Sequence, residues 1–174
     1  MTLPRYTRQS PRMTAIRVRD GRTSDLEFLA ANHRAMARET EHKILPPAVV
    51  RRGTRAVLRD PSRGFYLVAE VDQRPAGQLL VTHEWSDWRD GDFWWIQSVY
   101  VRPAFRRRGA YRALHEAVAA LARHAGNVRG IRLYTARTNS AAQSTYRALG
   151  MRRTIYDVYE RLLAAPRRTG RRSR

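Results

Sequence analysis

A largely apolar stretch, Phe93–Val101, reads as a strand, is closed by Pro103 and leads through a basic turn, Arg106-Arg107-Arg108-Gly109-Ala110-Tyr111, into a helical periodicity over Tyr111–His124. Proline has no N–H to extend a ladder. Glycine allows a turn that a side chain would resist. Leu114, Val118, Leu121 and Ala122 then recur on one side at helical spacing. A strand must therefore feed a helix whose first residues sit in a cluster of positive charge. The start of a helix presents unpaired N–H groups and a partial positive charge, and so binds anions such as phosphate. The turn lacks the Gly-Lys-Ser/Thr of a Walker loop and the three glycines of a dinucleotide loop. Taken alone, it describes a solvated basic turn as well as it describes a phosphate site.

The flanking sequence supplies a sheet and helices around this unit. Ile16–Arg19 alternates as a short strand, and Thr23-Ser24-Asp25 offers caps for a helix with Leu26, Leu29, Ala30, His33 and Ala37 on its buried face. A second helix starts at Pro46-Pro47 and runs to Leu58. Phe65–Val71 and Gly77–Glu84 pair as a hairpin around Asp72-Gln73-Arg74-Pro75, and Trp85–Asp92 is a polar connector. Beyond the long helix, Gly126-Asn127 marks a stop. The sequence then predicts a strand at Ile131–Ala136, a short helix at Ser140–Leu149 ended by Gly150, and a last strand at Thr154–Leu162. The predicted order is β-α-α-β-β-β-α-β-α-β, a mixed sheet with helices packed on it.

A chain of 174 residues with 43% hydrophobic residues is expected to hold one domain with a proper core. No apolar run is long enough to span a bilayer, no secretory leader is evident, and there is no cysteine for a disulfide or a thiolate. A cytoplasmic, soluble protein is expected. The formal net charge is +19, and Lys43 is the only lysine among 34 basic residues. Arg5, Arg8 and Arg12 at one end, and Arg167, Arg168, Arg171, Arg172 and Arg174 at the other, have no acid near them. Residues 1–14 are expected to form a flexible basic segment, with Met13 as an alternative start. Residues 15–163 are expected to form the domain and residues 164–174 a disordered Arg-rich tail. The remaining body is still basic enough to attract polyanions, whether coenzyme A or nucleic acid.

Two ordered motifs bear on that choice. SVYVRPAFRRRGAYRALHEAV resembles the acyl-CoA-binding core of the GNAT superfamily of N-acyltransferases, in which a strand ending in V-x-P leads into Q/R-x-x-G-x-G/A and a helix. Downstream, Asn139 to Met151 is similar to the family's N-x-x-A-x-x-x-Y-x-x-L-G-F segment. The resemblance covers about residues 15–163. It implies an α/β (α+β) fold built on a mostly antiparallel sheet of about six to seven strands, with acetyl-CoA as cosubstrate. It implies that the backbone of Val99, Tyr100 and Val101 pairs with the pantetheine arm. The peptide groups from Arg106 or Arg107, through Arg108, Gly109, Ala110 and Tyr111, to Arg112 would hold the pyrophosphate. Asn139 would bond the pantetheine, Ala142 would leave room for it, and Tyr146 would protonate the departing thiolate. Without the family, Tyr146 reads as a core aromatic sharing a helix face with Ala142 and Leu149. The sequence departs from the motif at Tyr111, where the family places Gly or Ala.

The acceptor is expected to be a small-molecule or peptide amine. Glu84 to Trp95 gathers acids and four tryptophans, a combination suited to a cation. It reads equally as an exposed connector. Glu84 is the candidate general base, with Glu39 and Glu41 as rival acids. His33, His42, His83, His115 and His124 show no ligand spacing, so no metal is expected. The alternatives are a basic nucleic-acid-binding module and an acyl-CoA sensor without catalysis. Family analogy allows a homodimer and suggests neither a membrane partner nor specific nucleic-acid binding.

Overall fold

The computed structural model describes residues 15–163; the expected terminal segments 1–14 and 164–174 lie outside them. The chain divides after Ala136 into two compact units.

The first unit contains β1 (Ile16–Asp20), α1 (Leu26–Glu41), α2 (Pro47–Arg59), β2 (Phe65–Val71), β3 (Arg74–Ser86), β4 (Gly91–Val101), α3 (Ala110–Ala125) and β5 (Val128–Arg132). Among the described residues the strands form one five-stranded sheet in the order β1-β2-β3-β4-β5. The first four are antiparallel neighbours, and β5 runs parallel to β4.

The core follows from alternation along β2. Leu67, Ala69 and Val71 point to one face, where they meet Leu79, Val81, Ile96 and, from α3, Leu114 and Val118. Tyr66 and Val68 point to the other, where they meet Leu29 of α1, with Val57 and Leu58 of α2 packed alongside. A strand covered on both faces reads as a continuous apolar run, and the buried run of β2 does so. Truncating a fully buried leucine such as Leu114 would leave a cavity costing about 2–5 kcal/mol.

The entry to α1 is fixed by charge. Asp25 accepts from the Arg22 N–H at 2.7 Å and from Arg19 Nη1 and Nη2 at 2.7 and 2.9 Å, while Arg19 Nε reaches Glu70 on β2 at 2.6 Å. Burial works to raise the Asp25 pKa, but the hydrogen bonds from Arg19 and Arg22 outweigh it, and the carboxyl lies below its ordinary range. Gly64, between α2 and β2, has φ +125°, and a Cβ there would lie 2.0 Å from the Val81 carbonyl oxygen. Only glycine permits that approach.

The second unit holds α4 (Ser140–Ala148). Asn139 caps it by accepting from the Ala142 N–H at 3.1 Å. Gly150, at φ +82°, follows its end, where the Met151 N–H reaches the Tyr146 carbonyl at 3.0 Å.

Four expectations are corrected. β5 occupies Val128–Arg132 rather than Ile131–Ala136, because its register with β4 closes at Trp95–Arg132. Thr154–Leu162 forms no strand: Ile155, Tyr156, Val158, Tyr159 and Leu162 are all exposed, and β-branched and aromatic composition does not hold a strand without a partner edge. The sheet therefore has five strands among the described residues, not six or seven. Leu121, expected on the buried side of α3, is 40% exposed, and Ala122 takes the inward position instead.

Candidate functional site at the open edge of the fourth strand

On one side β4 pairs with β3 along its whole length, from Gly91–Ser86 to Val101–Gly77. On the other side β5 covers only Asp92–Trp95. Among the described residues, the stretch from Ile96 to Val101 therefore has no strand neighbour on that side, and its main-chain groups there can receive an extended ligand. The open stretch begins at an irregularity. Leu80 pairs with Ser98 but Val81 pairs with Ile96, so Gln97 is an extra residue, a bulge. Bulges turn backbone groups out of the ladder and mark functional strands. Gln97 is exposed, and its Oε1 accepts from the Tyr134 hydroxyl at 3.1 Å.

After Val101 the chain turns through Pro103–Phe105 into the basic segment. Arg107 has φ +62°, and Gly109, the N-cap of α3, has φ +88°. The Ala113 N–H donates to the Gly109 carbonyl at 3.0 Å, which is the first bond of the helix ladder. The amides ahead of it lie in the part of a helix where N–H groups have no intrahelical acceptor. No acid stands in the first turn of α3, so the positive end of its dipole is uncompensated there. A Cβ on Gly109 would meet only Ile16 Cδ1, at 3.4 Å, so the glycine is required by its φ rather than by crowding. Tyr111, the departure from the motif, is half-buried one helical turn from His115, with ring centroids 6.2 Å apart. Burial lowers the His115 pKa against the raising influence of Glu116.

Arg106 is held differently from its neighbours. Its N–H donates to the Pro103 carbonyl at 3.2 Å, its Nε to the Val101 carbonyl at 2.9 Å, and its Nη2 to Glu39 at 2.6 Å. The Arg106 N–H is thus already committed within the turn. Glu39, near the end of α1, also accepts from the Tyr100 hydroxyl at 2.5 Å. The hydrogen bonds from Tyr100 and then Arg106 hold its carboxyl below the ordinary range. Burial, then the bond to Glu39, pushes the Tyr100 phenol up.

The acid-and-tryptophan segment is a hairpin end. Trp85 and Trp88 are exposed, whereas Trp94 packs on Phe65 with ring centroids 5.2 Å apart. Glu84 accepts from Trp95 Nε1 and from Arg132 Nη1, the latter at 2.7 Å. The guanidinium carbon of Arg132 lies 3.6 Å from the centroid of the Phe93 ring. The proposed base is thus already engaged by a cation. The sequence reading missed Arg132: it lies 48 residues from Glu84, and nothing local signals the pairing. It also missed the Gln97 bulge.

In the second unit, Ala142 and Tyr146 lie one helical turn apart on α4, both half-buried, and the Asn139 side chain is occupied in part by capping. A separate cavity of about 370 Å³ lies among α1, α2 and the sheet, lined by residues that include His33, Thr54, Tyr66 and Leu80 but none from β4. Among the described residues, no group of three or more His, Asp or Glu side chains is placed to hold a metal ion.

Comparison with known proteins agrees with this geometry. Residues 26–151 match the Acetyltransferase (GNAT) family. A possible acetyltransferase from Clostridium difficile 630 superimposes with a TM-score of 0.81 at 37% identity, over 86% of this chain and 99% of that one. The aminoglycoside N-acetyltransferase AAC(6′)-Iy, solved in complex with CoA, shares the fold at a TM-score of 0.73 and 19% identity, over 90% of this chain and all of that one. The thialysine N-epsilon-acetyltransferase of Caenorhabditis elegans is 39% identical over 62 residues, which span 36% of this chain and 38% of that protein. The strand with one open edge, the basic turn and the matched span together place the chain in the GNAT family of acetyltransferases.

Proposed function

We propose that the protein transfers an acetyl group from acetyl-CoA to a primary amine, on a small molecule or a peptide, by direct attack within a ternary complex. The observation that carries this reading is the unpaired edge of β4 from Ile96 to Val101, which runs directly into the acid-free start of α3. The main chain of Val99, Tyr100 and Val101 offers the amide-bearing pantetheine arm a strand to pair with. The amides from Arg107 to Arg112, with Arg107 and Arg108 close by, offer the pyrophosphate a positive cradle.

In the reaction, the lone pair of the neutral amine forms a C–N bond to the thioester carbonyl carbon. The C–S bond breaks, its electron pair leaves on sulfur, and the amine gives up a proton to solvent water. An N–H at the Gln97–Val99 irregularity is suited to polarise the carbonyl oxygen. Tyr146 is the proposed proton donor to the thiolate, and Asn139 and Ala142 the proposed pantetheine contacts. These assignments rest on the motif of α4. The Glu84–Arg132 pair favours an orienting role for Glu84 over a role as base.

The test is an assay of thiol release from acetyl-CoA against a panel of amines. Release that depends on one class of amine supports the reading. Tight CoA binding with no release by any amine points to a sensor, and salt-sensitive DNA binding without CoA binding points to the nucleic-acid alternative.

A further inference from the structure

Three arginines stand in a row at the turn, yet they do not have the same surroundings. Among the described residues, neither the Arg107 nor the Arg108 side chain makes an ion pair or hydrogen bond, and the Arg108 guanidinium lies 5.9 Å from the Phe105 ring. Arg106 is tied three ways: Nε to the Val101 carbonyl, Nη2 to Glu39, and the guanidinium plane 5.4 Å from the Tyr100 ring. These ties fold it back over the end of β4. Glu39 reaches it from α1, 67 residues away in sequence, so the contact is a product of the tertiary fold rather than of the turn.

We propose that Glu39 is an affinity-setting residue: it competes with the phosphates of the coenzyme for Arg106 and so keeps CoA binding weaker than three arginines would otherwise make it. This rests on the acetyl-CoA reading above. Arg106 has Nε on the Val101 carbonyl and Nη2 on Glu39, and its donors radiate in a fixed plane, so a phosphate that takes the Nη2 side displaces Glu39 and gives up the ion pair. A phosphate held by Nη1 alone keeps the pair but meets the Glu39 charge on the same guanidinium. Binding without Arg106 forgoes a charge-assisted contact and leaves a carboxylate near the anion. Each route weakens the coenzyme.

Both partners in the ion pair are near 40% exposed, so the competition is that of a screened surface pair, about two- to fivefold in affinity. CoA and acetyl-CoA carry the same phosphates. The device therefore weakens product and cosubstrate alike, and so favours release of CoA after each turnover. A residue with only a structural role predicts the opposite sign, since loosening the end of α1 would weaken the ligand.

The experiment measures the Kd of CoA by titration calorimetry for the wild type, Glu39→Gln, Glu39→Ala and Glu41→Gln at low and high salt. Glu39→Gln and Glu39→Ala are expected to tighten CoA about two- to fivefold, less so at high salt. Glu41→Gln, which removes the same charge two residues away, is expected to shift it less than about twofold. The gain disappears in Glu39→Gln/Arg106→Gln, and pantetheine, which lacks the phosphates, shows none. The acetyl-CoA KM falls with the CoA Kd while kcat does not rise. Unchanged or weaker CoA binding in both Glu39 variants, with wild-type binding intact, overturns the proposal and leaves the acetyl-CoA reading standing. A gain of equal size in Glu41→Gln overturns it as well, by making the effect one of net charge. Absence of CoA binding in the wild type overturns both.

Discussion

Arg132 Nη1 lies 2.7 Å from Glu84 Oε1, and the two residues come from strands on opposite sides of β4. Between them is Trp95, which pairs with Thr82 of β3 and with Arg132 of β5 and whose indole N–H also donates to Glu84. The pair therefore ties β5 to β3 across β4, at the point where β5 and β4 part company and just before the open edge begins. A carboxylate with a guanidinium and an indole N–H already on its oxygens is poorly placed to accept a proton from an amine, and well placed to fix where the edge opens.

Glu84→Gln is accordingly expected to keep the wild-type pH–rate profile. Its amide still accepts from Trp95 but loses the ion pair, so stability should fall by about 1 kcal/mol. The check is kcat/KM from pH 6 to 9 beside a urea denaturation curve. A basic limb displaced or abolished in the variant would restore Glu84 as the general base.

Gly109 allows backbone strain and anion binding to be separated. At φ +88° any side chain is strained, and the space around a Cβ is open except for Ile16. Gly109→Ala should lower stability by about 1 kcal/mol and leave CoA binding within a few-fold. Gly109→Asp, whose side chain tolerates the left-handed region comparatively well, should be no less stable than the alanine variant. It should nevertheless lose CoA affinity about tenfold or more, because a carboxylate then stands in the phosphate site. Equal CoA affinity in the two variants would remove the cradle from this turn.

His33 provides a pH test away from the edge of β4. Its Nε2 is hydrogen-bonded to the Tyr66 hydroxyl at 2.8 Å, and burial lowers its pKa from 6.5 to about 4. Burial likewise raises the Tyr66 phenol to about 12, with the Thr54 hydrogen bond opposing. Between those two His33 values the unfolded chain binds a proton that the folded chain refuses, so stability falls as the pH drops from about 6.5 towards 4. From pH 7 to pH 5 the loss traceable to this group is on the order of 1–2 kcal/mol. Glu and Asp titrations overlap only the lower end of that window. Urea unfolding at the two pH values should show a smaller loss in His33→Gln than in the wild type. Identical losses would mean that the imidazole is not held neutral.

What the sequence disclosed was what is local. Phe65–Val71 and the start of α3 were legible because a continuous apolar run, helical spacing and a glycine at a cap are properties of neighbouring residues. The hairpin between β3 and β4 is tighter than its polar sequence suggested: pairing extends to Ser86–Gly91, since a long connector can be recruited into a ladder once the register is set. Thr154–Leu162 misled for the converse reason, because strand-like composition carries no information about a partner. The candidate site divided the same way. The basic turn and the α4 motif were visible, whereas the Gln97 bulge and the ties from Glu39 to Arg106 and from Glu84 to Arg132 arise from strands and helices brought together over long separations.

Tyr146 is where the family resemblance makes its sharpest chemical claim. It lies on α4 with Ala142 one turn before it, and its carbonyl closes the helix by accepting from Met151, so its backbone position is set by the cap rather than by its phenol. Tyr146→Phe should therefore leave the helix intact. Without the phenolic proton the thiolate departs less easily, which lowers kcat by about 10²-fold or more. The acetyl-CoA KM, dominated by the pantetheine and phosphate contacts, should move only a few-fold. A leaving group of lower pKa needs less protonation, so an acyl donor built on such a thiol should recover much of the lost rate in the variant but gain little in the wild type. If Tyr146→Phe keeps its kcat, or if the donor series accelerates both enzymes in equal proportion, the phenol is not the proton donor and its partial burial on α4 is a matter of packing.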